Sequence, residues 1–220
     1  MNKLDWKSHN WLAMLINNRS LRKNIHLIKG RVVDLGCGDC QYKEDILEVA
    51  EEYIGVDWEK TPHQSQQVDI FADLNGRLPF EDGFADTFLS FQVLEHLPEP
   101  LNFLKECHRI LREKGALVLT VPFMWGIHEE PHDYYRYTRY GLKYLLEEAG
   151  FTGIRVEENT GFWQMWVLKF NYHVNRRCRG YSRIFWVIPW FLGQLASIAL
   201  DMVDRDTTEA GSYTVTAFKV

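Results

Sequence analysis

Apolar residues follow two rhythms along this chain, and the rhythms alternate. Between residues 5 and 29, Trp11, Leu12, Leu15 and Ile16 fall at helical spacing and basic residues close the segment before Gly30, which predicts a leading helical region. Arg31 to Leu35 is then a short β-branched run, followed by Gly36-Cys37-Gly38 and a helical pattern from Tyr42 to Ala50, the order strand, glycine turn, helix. Tyr53 to Asp57 and Val68 to Phe71 read as second and third strands, with Asp57 ending one and Asp73 just past the other. Asp86 to Phe91 is a fourth, Leu101 to Leu111 a helix between Pro100 and a Lys114-Gly115 stop, and Ala116 to Val121 a fifth strand ended by Pro122. Strands and helices alternating at this spacing imply βαβ units and a parallel, doubly wound sheet. Arg139 to Ala149 is an amphipathic helix stopped by Gly150, Phe151 to Asn159 a sixth strand, and Tyr213 to Lys219 a last one. The stretch Gly161 to Asp206 breaks the alternation and reads as a helical insert or lid.

Composition narrows the picture. With 220 residues, 46% of them hydrophobic, the chain can bury one full core, so a single domain over 1–220 is expected, with residues 1–29 its N-terminal helical region and 161–206 its insert. A net charge of -5 argues against binding a phosphate backbone, so no nucleic acid is expected as partner. Asn2, Lys3, Asp5, Lys7, His9 and Asn10 interrupt the first twelve residues, unlike a secretory signal, and a cytoplasmic location is expected. Four scattered cysteines (Cys37, Cys40, Cys107, Cys178) do not make a disulfide framework and are read as thiols.

The glycine turn carries the chemistry. Two glycines after a strand let backbone approach a ligand closely, and Asp57 about twenty residues on would also suit a dinucleotide. Charge separates the two readings. A pyrophosphate needs the bare positive end of the next helix, yet Asp34 and Asp39 bracket this turn, and Gln41 stands where the dinucleotide fingerprint has its third glycine. Two carboxylates there suit a cofactor with an ammonium and a sulfonium and no phosphate.

V-V-D-L-G-C-G, Y-I-G-V-D, A-D-L with L-P-F following, F-Q-V-L-E-H-L and R-I-L-R-E-K-G-A-L-V-L-T-V-P, in that order from Arg31 to Pro122, resemble the class I S-adenosylmethionine-dependent methyltransferases of the type 11 group. The resemblance implies a Rossmann-like α/β fold with a mostly parallel seven-stranded sheet, its last strand antiparallel, and methyl transfer from S-adenosyl-L-methionine. It implies that Gly36 and Gly38 shape the loop under the methionine part and that Asp34 lies near its ammonium. Asp57 would take the ribose hydroxyls, Trp58 pack on adenine, Asp73 with Leu74 meet the adenine amino edge, and Gln92 lie beside the methionine moiety. The family often has a glycine where Cys40 stands.

The loop from Pro122 to Thr138 follows the fifth strand and should overhang the transferable methyl. Methyl transfer is a displacement at carbon, so the protein supplies orientation and, for a hydroxyl or amine acceptor, removal of a proton. His128, His132 and Asp133 are the candidate catalytic residues; alternatively Asp133 and Arg136 form an ion pair pinning the loop, with Tyr137 and Thr138 starting the next helix. Two other motifs fail on context. Cys37-x-x-Cys40 sits inside the glycine turn rather than opening a redox helix. His128-Glu129-Glu130-Pro131-His132 spells H-E-x-x-H, but Pro131 disfavours the helix that pattern needs, so no metal ligands are assigned.

In the insert, Ile184 to Leu200 is a charge-free run of 17 residues, short of the roughly 20 needed to span a bilayer. Arg176, Arg177, Arg179 and Arg183 precede it. Three readings stand: a lid or core-packing insert, a homodimer surface, and contact of residues 176–200 with a membrane surface. The expected acceptor is an oxygen or nitrogen on a small or lipid-linked molecule; the rival functions are a non-catalytic S-adenosylmethionine-binding regulatory or scaffold protein and a nucleotide-dependent oxidoreductase.

Overall fold

The computed structural model describes residues 4–59 and 67–220. Seven strands form one sheet: β1 (Arg31–Leu35), β2 (Glu52–Asp57), β3 (Ile70–Phe71), β4 (Ala85–Phe91), β5 (Leu111–Pro122), β6 (Thr152–Glu158) and β7 (Ser212–Phe218), in the spatial order β3-β2-β1-β4-β5-β7-β6. The pairings among β1 to β5 are parallel, and β7 runs antiparallel to both its neighbours, as expected of the last strand. The strands are apolar on both faces because helices cover both: Val33, Leu35, Phe88, Leu117 and Leu119 in one cluster, Val32, Leu89 and Val118 in another.

Around the sheet lie α1 (Trp11–Asn24), α2 (Lys43–Leu47), α3 (Pro100–Ile110) and α4 (Arg139–Glu148). Pro100 opens α3, where its missing N–H costs nothing, and Thr138 caps α4 by accepting the Gly141 N–H at 3.1 Å. Three boundaries differ from expectation. The third strand is two residues, because the Asp69 side chain takes the Gly55 N–H at 2.8 Å in place of a longer ladder. Helix α2 is half as long as its pattern, and β5 starts at Leu111, with Lys114 at φ +63° making a turn inside it.

The insert is α5 (Phe162–Asn175), a helical turn over Gly180–Trp186, and α6 (Val187–Val203). Pro189 lies in the first turn of α6, where N–H groups lack intrahelical partners anyway, so it does not interrupt the helix. The 24-residue element Gly180–Val203, with a mean hydropathy of 1.5 over its most apolar 18-residue window, is long and apolar enough to cross a membrane by length and composition. Its inner stripe, however, is Trp190, Gln194, Ser197 and Asp201, all buried and mostly polar. Gln194 accepts the Leu12 N–H at 2.8 Å, and Asp201 accepts the N–H groups of Gly161, Trp163 and Gln164, capping α5 from another helix. That stripe ties α6 to α1 and α5, while Ile184, Phe185, Ile188, Leu192, Met202 and Val203 are exposed on the outside.

Candidate active site

Between β1 and β4 the direction of the strand order reverses, and ligands of open α/β sheets bind beyond the carboxyl ends of the strands at such a point. The turn after β1 is shaped by glycine: Gly36 sits at φ +75°, and a Cβ there would stand 2.3 Å from Val93 Cγ2. Gly38 follows at φ +52°. Cys40 adopts φ +50°, so the position the family often gives to glycine keeps its left-handed backbone with a side chain attached. Its buried thiol and that of Cys37 pack against Gly55, and burial pushes both thiols up, away from the thiolate that redox chemistry uses.

Asp57, at the end of β2, binds this turn directly. One carboxylate oxygen accepts the Gly38 N–H at 2.7 Å, and the other accepts the Trp58 N–H at 2.6 Å. The ends of β1 and β2 are thus fixed to each other by a buried acid. Asp34 is buried too, accepting the Tyr53 hydroxyl at 2.7 Å; burial pushes its carboxyl up to about 7, with the charge of Asp57 adding to the rise. Asp73, beyond β3, is exposed and holds an Asx turn by accepting the Asn75 N–H at 2.9 Å, while Leu74 beside it is buried. Gln92, beyond β4, has φ +59°; its N–H goes to the Thr120 carbonyl and its amide to the Thr120 hydroxyl at 3.1 Å.

On the other side lies the loop after β5. Residues 128–132 are not helical, so the H-E-x-x-H spacing does not set its two histidines on one helix face. His132 points to Trp58, ring centroids 5.4 Å apart and edge-on, linking this loop to the turn after β2. His128 points the other way, to Glu95 and His96, its Nε2 lying 3.9 Å from Glu95 Oε1. Asp133 departs from the expected proton acceptor. Its nearly fully buried carboxylate is gripped by both terminal nitrogens of Arg136 at 2.6 and 2.7 Å and accepts the His128 N–H at 2.9 Å, and the Arg136 guanidinium holds it down at about 2. Asp133 is a loop anchor that positions His128.

Glu95 and His96 lie in the F-Q-V-L-E-H-L segment, yet only Gln92 of that segment was assigned from sequence. Glu95 is fully buried, and among the described residues no side chain donates to either of its oxygens; its carboxyl is pushed up to about 8 by burial, against its own backbone N–H and the charge of Arg136. An acid and a histidine enclosed by leucines just past a strand end was the available signal.

Residues 33–119 match the family model of the methyltransferase domain. Over that segment the chain is similar to S-adenosylmethionine-dependent methyltransferases. The matched segment holds every residue expected at the cofactor, from Asp34 to Gln92, together with Glu95 and His96; the His128 loop and the insert lie outside it. A protein of Mycolicibacterium smegmatis described as a probable S-adenosylmethionine-dependent methyltransferase is 33% identical over 103 residues, 44% of this chain and 40% of that protein. The match thus spans less than half the length of that relative. The tRNA U34 carboxymethyltransferase of Sulfurimonas denitrificans is 26% identical over 178 residues, 71% of this chain and 58% of that protein. A solved S-adenosylmethionine-dependent methyltransferase from Archaeoglobus fulgidus, 19% identical, superposes with a TM-score of 0.62 over 94% of each chain, which makes this methyltransferase fold a shared one.

Proposed function

We propose that this methyltransferase moves the methyl group of S-adenosylmethionine to an oxygen or nitrogen of a small or lipid-linked acceptor. One observation carries the reading: an acidic glycine turn and a histidine-bearing loop face each other across the strand switch point, joined by the Trp58–His132 contact. The turn's residues fit the cofactor. Asp34 suits its ammonium, and Asp57, fixed at the end of β2 by two N–H groups, is placed for the ribose hydroxyls. Trp58 would pack on adenine, with Asp73 and Leu74 at its edge and Gln92 beside the methionine part. The bound cofactor supplies an electrophilic methyl; the chain's own contribution is to orient the acceptor and accept its proton through His128 or His132, with Asp133 holding the loop. Titration calorimetry tests this: micromolar binding of S-adenosylhomocysteine and none of NADH supports it, and the reverse overturns it. Intact binding without turnover on any acceptor class would favour the non-catalytic rival.

The insert favours a lipid-linked acceptor. Trp125, from the loop after β5, packs edge-on against Tyr172 of α5 and belongs to the cluster of Leu12, Ile16, Leu168 and Ile198, so the loop and insert share one wall. Beyond that wall α6 exposes an apolar face, and Arg176, Arg177, Arg179 and Arg183 cluster at its start, the charge complement of an anionic lipid surface. We place the protein at the cytoplasmic face of such a membrane. Co-sedimentation with vesicles of phosphatidylcholine and phosphatidylglycerol, but not of phosphatidylcholine alone, is expected; a stable homodimer that ignores vesicles would assign the face to a second copy. The tRNA-modifying relative supplies a second reading, against which the net charge of -5 stands. Methyl transfer to bulk tRNA would establish it.

A further inference from the structure

Glu95, His96 and His128 converge from two loops with their unused atoms facing inward. Glu95 Oε1 lies 3.8 Å from His96 Nε2 and 3.9 Å from His128 Nε2, and one ligand atom from each of the three residues lies within 4.8 Å of the others. The tautomers are set from behind. His96 Nδ1 is 2.6 Å from the His132 carbonyl, which can only accept, so Nδ1 carries the proton and Nε2 the lone pair.

His128 is fixed in the same way. Its Nδ1 faces two acceptors, the Gly126 carbonyl at 3.3 Å and Asp133 Oδ2 at 3.4 Å. Arg136 Nη2 is also 3.3 Å away, but its two hydrogens go to Asp133 Oδ2 at 2.7 Å and the Gly126 carbonyl at 2.8 Å. Arg136 has no donor to spare for Glu95 either. Its remaining hydrogens serve the carbonyls of Trp125 and Tyr135 and Asp133 Oδ1.

Among the described residues no side chain donates to either oxygen of this fully buried carboxyl, and two imidazole Nε2 lone pairs face it at 3.8 and 3.9 Å, an arrangement of ligand atoms that a bound cation would stabilise. We propose that Glu95, His96 and His128 bind a divalent first-row transition cation through one carboxylate oxygen and two Nε2 atoms, leaving its remaining positions to the acceptor. Two nitrogens and one oxygen suit Zn²⁺ or Mn²⁺ better than Mg²⁺, and modest side-chain shifts would bring the ligands to the roughly 2.0–2.2 Å of bound zinc. Glu129, whose Oε2 is 3.9 Å from His96 Nε2, stands at the rim. This use of the cluster departs from the H-E-x-x-H pattern: His128 is shared, but His132 contributes its carbonyl rather than its ring. With the cation bound, His128 serves as a ligand and the acceptor's proton falls to His132; the cation's role in holding an acceptor hydroxyl rests on the transferase reading, its binding does not.

The test is calorimetric titration of chelator-treated full-length protein with Zn²⁺ and, separately, Mn²⁺, without cofactor, and by Co²⁺ visible absorption. One equivalent per chain is expected, weakened at least roughly ten-fold in Glu95→Gln and in His128→Ala and unchanged in His132→Ala. His128→Ala changes a loop side chain and keeps the test valid if Glu95→Gln fails to fold. Absence of stoichiometric binding, or equal binding in all variants, overturns the site. Because S-adenosylhomocysteine binding is measured on the same preparation, loss of the cation with that binding intact refutes the metal site alone.

Discussion

Asp34 and Asp57 share one buried corner, and the two must play different parts there. Asp57 is held as an acceptor by two backbone N–H groups, so Asp57→Ala is expected to weaken S-adenosylhomocysteine binding ten-fold or more, in line with the roughly 1.5–3 kcal/mol of a charged hydrogen bond. Calorimetry checks it, and unchanged affinity would remove Asp57 from the site. Asp34 has a folded value of about 7 against an ordinary 3.8, so the folded protein keeps its proton longer than the unfolded chain does. Its contribution to stability is complete below pH 3.8 and is lost as pH climbs through about 7. Asp34→Asn should flatten that decline, read as denaturation midpoints between about pH 5 and about pH 8; a variant with the original slope contradicts the assignment. His128→Ala should slow turnover and leave cofactor binding intact, since His128 lies across the crevice from the glycine turn.

At the scale of elements, α6 is the helix whose two faces are exchanged relative to a surface helix of a water-soluble protein. Its buried stripe is polar because it does specific work, Gln194 satisfying the start of α1 and Asp201 the start of α5. Asp201→Ala leaves three N–H groups, two of them buried, without their acceptor and is expected to cost about 2 kcal/mol or more, measured by denaturant unfolding. The outer face makes the opposite prediction. Ile188→Asp should leave stability within about 0.5 kcal/mol and abolish vesicle binding, because Ile188 is 64% exposed on the outer face of α6. Unaltered co-sedimentation would clear this face of any lipid role.

At the scale of the whole molecule, cofactor binding should tie β1, β2 and β4 together. S-adenosylhomocysteine at a hundred times its Kd is expected to add about 2.7 kcal/mol and raise Tm by about 5–10 °C, an increase Asp57→Ala should lose at the same ligand concentration. The alternating strand and helix patterns, the glycine turn and the carboxylates after β1, β2 and β3 were legible in the sequence, because period and backbone preference are local properties. The insert was legible only as a break in that pattern, since a helix with polar residues inside and apolar ones outside reads locally as its own inverse. What the tertiary structure alone decided was which distant side chains meet. Asp133 became an anchor because Arg136 turns back onto it, and Glu95 became part of a site because His128, thirty-three residues later, is brought over it. Local sequence fixes where a side chain sits on its element, but charge pairing and burial depend on the neighbours that only the fold supplies.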